Sequence, residues 1–169
     1  MNKQIERNYL EINSIKELVE SKLPKKNLSL SLVNPPDFNL NKFFYKQIGR
    51  KYYWLDRLDW SDRCWIKYTE NENVETYILK ETEEFVGYFE KIYHKDRKET
   101  EIAYLGILED HFGKNYGSYL LSEAIKISFK DKSKRVWVHT CSLDHKNALK
   151  NYQSRGMKIF KKEKINLNL

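Results

Sequence analysis

The 169-residue sequence predicts an α+β fold, a mixed β-sheet with α-helices on its faces. The first part of the chain is rich in short segments of β-branched and aromatic residues, which are typical of strands. Residues 117–130 instead repeat small and apolar side chains at helical spacing. A strand, a helix and a last strand follow. Because a chain of this length buries roughly 70% of its unfolded surface, we expect one domain, residues 1–169.

The N-terminal region is predicted to alternate short strands and short helices. Ser14 and Ser61 each precede an apolar segment and are suitable helix N-caps. Asn34-Pro35-Pro36 ends the second strand, since proline cannot donate to a strand ladder. The predicted elements are strands from residue 4 and at residues 28–33, and helices at residues 14–21, 41–53 and 61–68.

The second half is predicted to contain longer strands and two longer helices. After the strands, one face of a helix is marked by residues at i, i+3, i+4, i+7, i+8 and i+11, namely Gly117, Leu120, Leu121, Ala124, Ile125 and Ser128. Asp144 is predicted to cap a further helix that ends at Gly156, in the position of a left-handed C-cap. The predicted strands are residues 75–80, 84–94, 100–108, 135–143 and, more weakly, 157–167.

Charge and composition restrict the classes of partner. A net charge of +7 attracts nucleic acid, an acidic membrane or a phosphate-bearing cofactor. The lysines are dispersed, so nucleic-acid binding is the less favoured of these. There is no apolar run of 18 residues, no signal-peptide pattern at the N-terminus, and no CxxC pair from Cys64 and Cys141. We therefore expect a cytoplasmic protein that does not bind membranes.

The segment GILEDHFGKNYGSYLL, residues 106–121, joins a strand to a helix and contains glycines at 113 and 117. Backbone N–H groups and the positive end of the dipole make a helix start a binding site for anions. Gly113 and Gly117 would let phosphate oxygens approach the backbone, and Asn115 is the best non-glycine candidate for a positive φ. Lys114 adds a cation. The alternative is an ordinary turn, and the spacing fits neither a Walker loop nor a GxGxxG fingerprint.

Two linked segments then resemble one known family. EIAYLGILEDHFGKNYGSYLL, from Glu101, resembles the acetyl-CoA-binding motif of the GNAT superfamily of N-acetyltransferases, Gln/Arg-x-x-Gly-x-Gly/Ala between a strand and a helix. VWVHTCSLDHKNALKNYQSRGM resembles the strand and helix that follow in that family, with Ala148, Tyr152 and Gly156 at matching positions. The phrases WLDRLDWSD and VWVHTCSLDH resemble one bacterial subgroup. The resemblance implies the GNAT fold, with a mixed and largely antiparallel sheet, and acetyl-CoA as cosubstrate.

The resemblance also implies a layout and a cofactor site. Residues 1–83 would carry acceptor-site helices, and residues 84–160 would form the acetyl-CoA-binding core. Gly106 would mark a bulge or a close backbone approach, and in the family a bulge here separates two strands. The implied cofactor-binding residues are Ile107 and Leu108 for the pantetheine arm, then Gly113, Lys114, Asn115, Tyr116, Gly117, Ser118 and His145. The sequence departs from the family pattern at Phe112, Asn115, His145 and Met157.

Acetyl transfer to an amine needs a neutral nucleophile. An alkylamine with a pKa of about 10.4 costs roughly 4.6 kcal/mol to deprotonate at pH 7, so a base or a water chain must take the proton. Glu101 lies eleven residues before Phe112, the spacing at which the histone acetyltransferase branch of the family carries its base. Tyr152 matches the family's acid for the leaving thiolate. The alternatives are a strand-edge carboxylate facing water and a packed aromatic on a helix.

The stretch over residues 52–63 falls where the family builds its acceptor pocket. Aromatic rings beside a carboxylate could bind an ammonium group, and Arg57 could hold a carboxylate of the acceptor. The predicted acceptor-binding residues are Trp54, Asp56, Arg57 and Trp60. The alternative is a pair of capped helices whose tryptophans belong to the core.

His139, Cys141 and His145 raise two further possibilities, a metal site and a Cys/His nucleophile. On a strand, His139 and Cys141 would lie about 6.5 Å apart, too far for an easy hydrogen bond, and further ligands are not evident. We expect packing or supporting roles and no metal.

The sequence therefore predicts an N-acetyltransferase that moves acetyl from acetyl-CoA to a primary amine by direct attack in a ternary complex. The acceptor could be a small molecule or a protein amine, and a homodimer is possible. The alternatives are a CoA-binding sensor or scaffold without turnover, suggested by Phe112 and Asn115, and a basic nucleic-acid-binding module.

Overall fold

A computed structural model describes residues 2–168 and contains one sheet of seven strands. The strands are β1 (Asn2–Ile12), β2 (Leu28–Leu32), β3 (Val74–Glu81), β4 (Glu84–His94), β5 (Glu99–Ile107), β6 (Arg135–Cys141) and β7 (Lys158–Asn168). Their order across the sheet is β2-β3-β4-β5-β6-β1-β7. Only the β5–β6 pair is parallel among these strands.

Four α-helices accompany the described strands. They are α1 (Phe38–Gly49), α2 (Asp62–Thr69), α3 (Tyr116–Lys130) and α4 (Ala148–Ser154), with short 3-10 turns at Ile15–Glu17 and Glu109–His111. None of the helices in residues 2–168 has the length and apolar character needed to cross a membrane.

The helices cover both faces of the sheet, because strand residues alternate between the faces. On one face, Leu79 and Phe89 pack with Leu120 and Leu121 of α3 in the larger core cluster. On the other, their chain neighbours Ile78 and Tyr88 pack with α1 through Phe44 and Ile48. This arrangement confirms the predicted fold class, a mixed and largely antiparallel sheet with helices on both faces.

Local caps set where several helices begin and end. Asp37 accepts a hydrogen bond from Asn39 N, so α1 begins earlier than predicted. Ser61 caps α2 by accepting from Cys64 N, as predicted. Gly156 has φ +100°, which confirms the predicted left-handed position after α4.

The predictions for two further helices are also wrong. The helix predicted at residues 14–21 is only the Ile15–Glu17 turn, because Val19 N–H bonds to Arg155 O and Ser21 N–H bonds to the Ser122 hydroxyl. These tertiary bonds replace the next helical turn.

Asp144 is not the N-cap of α4. Its Oδ2 accepts from Thr140 Oγ1 at 2.6 Å and from Cys141 N at 2.9 Å. The carboxylate therefore closes a turn at the end of β6, and α4 begins only at Ala148.

Candidate active site

The parallel strands β5 and β6 separate towards their C-terminal ends. They pair only over Glu99–Glu101 and Arg135–Trp137. The β4–β5 register shifts between Glu90 and Lys91, which leaves Ala103 as an extra residue on β5. The bulge is thus at Ala103 and not at Gly106. Gly106 instead marks a close approach, since a Cβ there would lie 2.7 Å from Ile48 of α1.

The gap between the separating strands opens into a cleft of about 340 Å³. That volume lies in the range of small-molecule and cofactor sites. The cleft is lined chiefly by the second half of β5, the end of β6, residues 52–56, and the starts of α3 and α4 with the loops before them. Ile5 and Arg7 of β1, Ile48 of α1 and Leu167 of β7 complete the lining. We call this the central cleft.

The start of α3 supplies free backbone donors to the central cleft. Gly113 has φ +76° and Asn115 has φ +61°, as predicted for Asn115, so both residues lie in the left-handed region. The first intrahelical bond is from Tyr119 N–H to Asn115 O. The amides of Tyr116, Gly117 and Ser118 therefore have no intrahelical acceptor, and the Asn115 side chain does not cap the helix.

Most of the predicted cofactor residues come together here. Gly113, Asn115, Tyr116, Gly117 and Ser118 line the cleft with Ile107 and His145. Lys114 is not among the lining residues, and its Nζ lies 5.8 Å from the Tyr116 ring.

Leu108 does not offer free backbone groups to a pantetheine arm, contrary to the prediction. Its N–H bonds to Val86 O, and its carbonyl accepts from His111 N. Both backbone groups of Leu108 are therefore used within the protein, and only Ile107 faces the cleft.

Side chains from α4 and its preceding loop complete this end of the cleft. The His145 ring lies 5.2 Å from Phe112 and 5.9 Å from Tyr52. Asn151 also lines the cleft, and its Oδ1 is buried without a hydrogen-bond partner among the described residues. A buried acceptor without a donor is costly unless a ligand supplies one.

The structure places the two predicted catalytic residues differently. Tyr152 lines the cleft and is 7% exposed. Burial, with the charge of Asp144, raises the pKa of Tyr152, so its hydroxyl is protonated at neutral pH. Glu101 is half-buried beside the cleft rather than among its lining residues, with its Oε2 3.0 Å from His94 Nε2.

His139, near the end of β6, is a titratable residue of the cleft to which the sequence analysis gave only a supporting role. Burial, followed by the charge of Arg7, lowers the pKa of His139. Its imidazole is therefore neutral at pH 7 and can accept a proton. Because side chains alternate along β6, His139 and the core residue Val138 lie on opposite faces of the strand. The separation of β5 and β6 beside His139 depends on pairing between segments that are distant in the sequence, so no local sequence pattern indicates it.

The residues predicted to bind the acceptor divide into two pairs. Trp54 and Asp56 line the cleft. Trp54 packs over the end of α1, where a Cβ on Gly49 would lie 2.6 Å from it. Tyr104 OH donates to Asp56 Oδ2 at 3.4 Å, a weak bond that leaves the carboxylate exposed to the cleft.

Arg57 and Trp60 point away from the cleft, contrary to the prediction. Arg57 is 6% exposed, and its Nη1 lies 2.8 Å and 3.2 Å from the two carboxylate oxygens of Glu90. The guanidinium lies among aromatic rings, with centroid distances of 4.1 Å to Tyr68 and 4.7 Å to Trp60. Because Glu90 already satisfies its charge, Arg57 cannot hold an acceptor carboxylate.

The cysteine and histidine side chains of the cleft do not form a metal centre. No three His, Cys, Asp or Glu side chains within residues 2–168 lie close enough together to hold a metal ion. Burial, followed by the charge of Asp144, raises the pKa of the Cys141 thiol, which disfavours a thiolate nucleophile.

Comparisons with known proteins identify the fold and the family of the chain. The acetyltransferase (GNAT) family model matches residues 39–157. A GCN5-related N-acetyltransferase from Sphaerobacter thermophilus is similar in structure, with a TM-score of 0.72 and 14% identity over 96% of this chain and 50% of that one. One from Kribbella flavida has a TM-score of 0.66 and 14% identity, over 94% of this chain and 56% of that one.

The chain thus spans about half the length of these two structures. An aminoglycoside acetyltransferase from an uncultured soil metagenomic sample has a TM-score of 0.65 and 12% identity, over 79% of this chain and 90% of that one. No curated protein matches the sequence significantly. The family match covers well over half of the chain, and the protein therefore belongs to the GNAT family of acetyltransferases.

Proposed function

We propose that the protein is an N-acetyltransferase that moves acetyl from acetyl-CoA to a primary amine by direct attack in a ternary complex. One observation carries the proposal. Free amides at the start of α3 open into the same cleft as a protonated tyrosine and a neutral histidine. An anion site beside a proton donor and a proton acceptor is what this transfer requires.

The residues of the central cleft fit coenzyme A. The amides of Tyr116, Gly117 and Ser118 would bind the pyrophosphate, where the dipole of α3 also favours negative charge. Ile107 and the buried Asn151 Oδ1 lie where a pantetheine arm entering the gap could bond to them. When bound, acetyl-CoA supplies the thioester carbonyl that the amine attacks.

Two groups would move protons during the transfer. A ring nitrogen of His139 would take a proton from the ammonium group of the acceptor, because the imidazole is neutral at pH 7 and lines the cleft, and the neutral amine would then attack the thioester carbon. As the C–S bond breaks, Tyr152, which keeps its phenolic proton, would donate it to the departing sulfur, and the second proton lost by the nitrogen would return to Tyr152. Glu101, the base predicted from the sequence, is the alternative to His139.

The acceptor would enter beside residues 52–56. Trp54 and Tyr104 have ring centroids 4.7 Å apart, and the Asp56 carboxylate lies next to them. Two aromatic faces and one carboxylate would attract an ammonium group by cation–π and charge interactions. Because one structurally similar protein is an aminoglycoside acetyltransferase, an aminoglycoside belongs in any acceptor screen.

The test is a thiol-release assay with acetyl-CoA across a library of amines, with coenzyme A binding measured separately by calorimetry. We expect coenzyme A to bind and at least one amine to release thiol. His139→Gln and Tyr152→Phe should each lower kcat by about 100-fold or more while keeping coenzyme A affinity. Tight coenzyme A binding without thiol release from any amine would support the sensor instead.

The pH dependence separates the two candidate bases. Burial lowers the pKa of His139 below 6.5, so kcat/KM should fall only when the pH drops below that value. In His139→Gln this acidic limb should disappear. If Glu101→Gln removes the limb and His139→Gln does not, Glu101 is the base.

A further inference from the structure

The charged side chains of the central cleft are few and well separated. Arg7 of β1 is the one lysine or arginine among its lining residues within residues 2–168, and Asp56 and Asp144 are the acidic ones. Asp144 is already engaged by Thr140 and Cys141 at the end of β6. The cleft thus offers one free carboxylate, Asp56, and one guanidinium.

The guanidinium of Arg7 lacks a partner. No carboxylate oxygen of the described residues lies within 4 Å of it, and its Nε is buried without a hydrogen-bond acceptor. Glu163, its cross-strand neighbour on β7, accepts from Tyr9 OH at 2.8 Å and pairs with Lys161. A partly buried, unpaired cation with a buried donor is costly unless an anion completes it.

His139 lies between the two charges. Across the sheet, β6 with His139 lies between β1 with Arg7 and β5 with Tyr104, whose hydroxyl contacts Asp56. Arg7 lowers the pKa of His139, whereas Glu101, Asp144 and Asp56 raise it, so all four side chains lie within electrostatic range of the imidazole. An amine near His139 would therefore have the aromatic rings and Asp56 on one side and Arg7 on the other.

We propose that the acceptor carries a carboxylate in addition to its amine, and that Arg7 binds this carboxylate. The chemical class is an amino acid or a short peptide-like molecule with both groups. The proposal rests on the proposed function, because it names the acceptor of the same site. Asp56 would attract the ammonium group, and Arg7 would select the anion and fix the amine near His139.

The coenzyme is a poor alternative partner for Arg7. The amides of α3 would already bind its pyrophosphate. The charge of Arg7 instead acts to lower the pKa values of Cys141, His139 and Glu163, which lie on the β6–β1–β7 side of the cleft. The Arg7–Cys141 register also places β6 between Arg7 and β5.

The test uses matched acceptors, an α-amino acid, an ω-amino acid and a dipeptide, each compared with its carboxamide. The measured quantity is the ratio of kcat/KM for acid over amide. Comparing this ratio between wild type and Arg7→Met cancels differences in amine basicity. We expect wild type to favour the acids and Arg7→Met to lower the ratio by about 10- to 100-fold, the usual worth of a charged hydrogen bond.

Three further variants control the experiment. Arg7→Lys should keep part of the preference, Asp56→Asn should weaken acid and amide alike, and Lys67→Met removes an exposed charge of α2 and should change nothing. Thermal melting shows whether each variant is folded. If Arg7→Met is unfolded, Arg7→Lys tests the proposal in its place.

Calorimetry with coenzyme A present separates this proposal from the proposed function. If no amine is acetylated but the acids bind in an Arg7-dependent way, the activity is refuted and the carboxylate site stands. An acid-to-amide ratio that Arg7→Met leaves unchanged refutes the carboxylate site alone, whether or not that variant also loses coenzyme A affinity. If the acids neither react nor bind, the carboxylate site fails, and the proposed function fails with it only when no other amine reacts.

Discussion

Replacing Arg57 by Met removes the cation from the most buried ion pair of the described chain. The side chains of Arg57 and Glu90 are 7% and 0% exposed, and their closest atoms are 2.8 Å apart. Burial lowers the pKa of Arg57, but Glu90, Tyr68 and Tyr104 together raise the net pKa above the ordinary value. Arg57 is therefore charged in the folded protein at neutral pH.

The expected loss follows from what remains around Glu90. Removing one partner of a buried pair costs about 3–5 kcal/mol, because the other charge stays buried and unpaired. Glu90 would keep hydrogen bonds from Asn41 Nδ2 at 2.7 Å and Tyr68 OH at 3.0 Å. We therefore expect a loss near the lower limit, about 3 kcal/mol, and a Tm lower by roughly 6–12 °C.

Urea unfolding, followed by circular dichroism and tryptophan fluorescence, measures the free energy of unfolding. The double variant Arg57→Met/Glu90→Gln also removes the buried negative charge, so it should recover about 2 kcal/mol of the loss. An Arg57→Met protein within 1 kcal/mol of wild type would refute the reasoning. So would a double variant less stable than Arg57→Met.

Three further predictions concern the loops and the cleft. Gly156→Ala should lower the free energy of unfolding in urea by more than about 2 kcal/mol, because φ is +100° and a Cβ would overlap a backbone carbonyl. Gly113→Ala should lower it by only about 1 kcal/mol, because a Cβ there meets open space. Equal losses in the two variants would contradict this. Asn115→Gly should keep the affinity for coenzyme A, because glycine adopts the observed φ of +61° without strain, whereas Asn115→Val should lower the affinity about 10-fold, as measured by calorimetry. Equal affinities of the two variants would mean that the backbone conformation at residue 115 does not affect coenzyme binding. Iodoacetamide at pH 7 should label exposed Cys64 before Cys141, because burial raises the pKa of the Cys141 thiol, as read by peptide mass spectrometry. Equal labelling rates would contradict this.

The features that could be predicted from the sequence are those fixed by nearby residues. The helical spacing of α3, the Ser61 cap and the positive φ of Asn115 and Gly156 each depend on a few consecutive residues. The family resemblance added the order of strands and helices around them. Together these were sufficient for the fold and for the free amides at the start of α3.

The residues of the proposed acceptor end could be predicted only in part. Trp54 and Asp56 line the cleft, but contacts with distant residues bury Arg57 elsewhere. Arg57 follows Asp56 in a stretch whose aromatic residues suit a pocket or a core equally well. Only Glu90, 33 residues later on β4, decides that Arg57 is buried. Arg7 similarly reaches the cleft because β1 is inserted beside β6, which no pattern near residue 7 indicates.

The departures from the family motif concern side chains, and the proposed binding of phosphate depends on the backbone. Asn115 stands at a glycine position yet adopts φ +61°, so the chain follows the path that a glycine would allow. Phe112 is 39% exposed, and its ring centroid lies 5.2 Å from that of His145. Neither substitution removes a backbone donor at the start of α3. Weak coenzyme binding therefore does not follow from the altered motif, and thiol release with an amine is the measurement that separates an enzyme from a sensor.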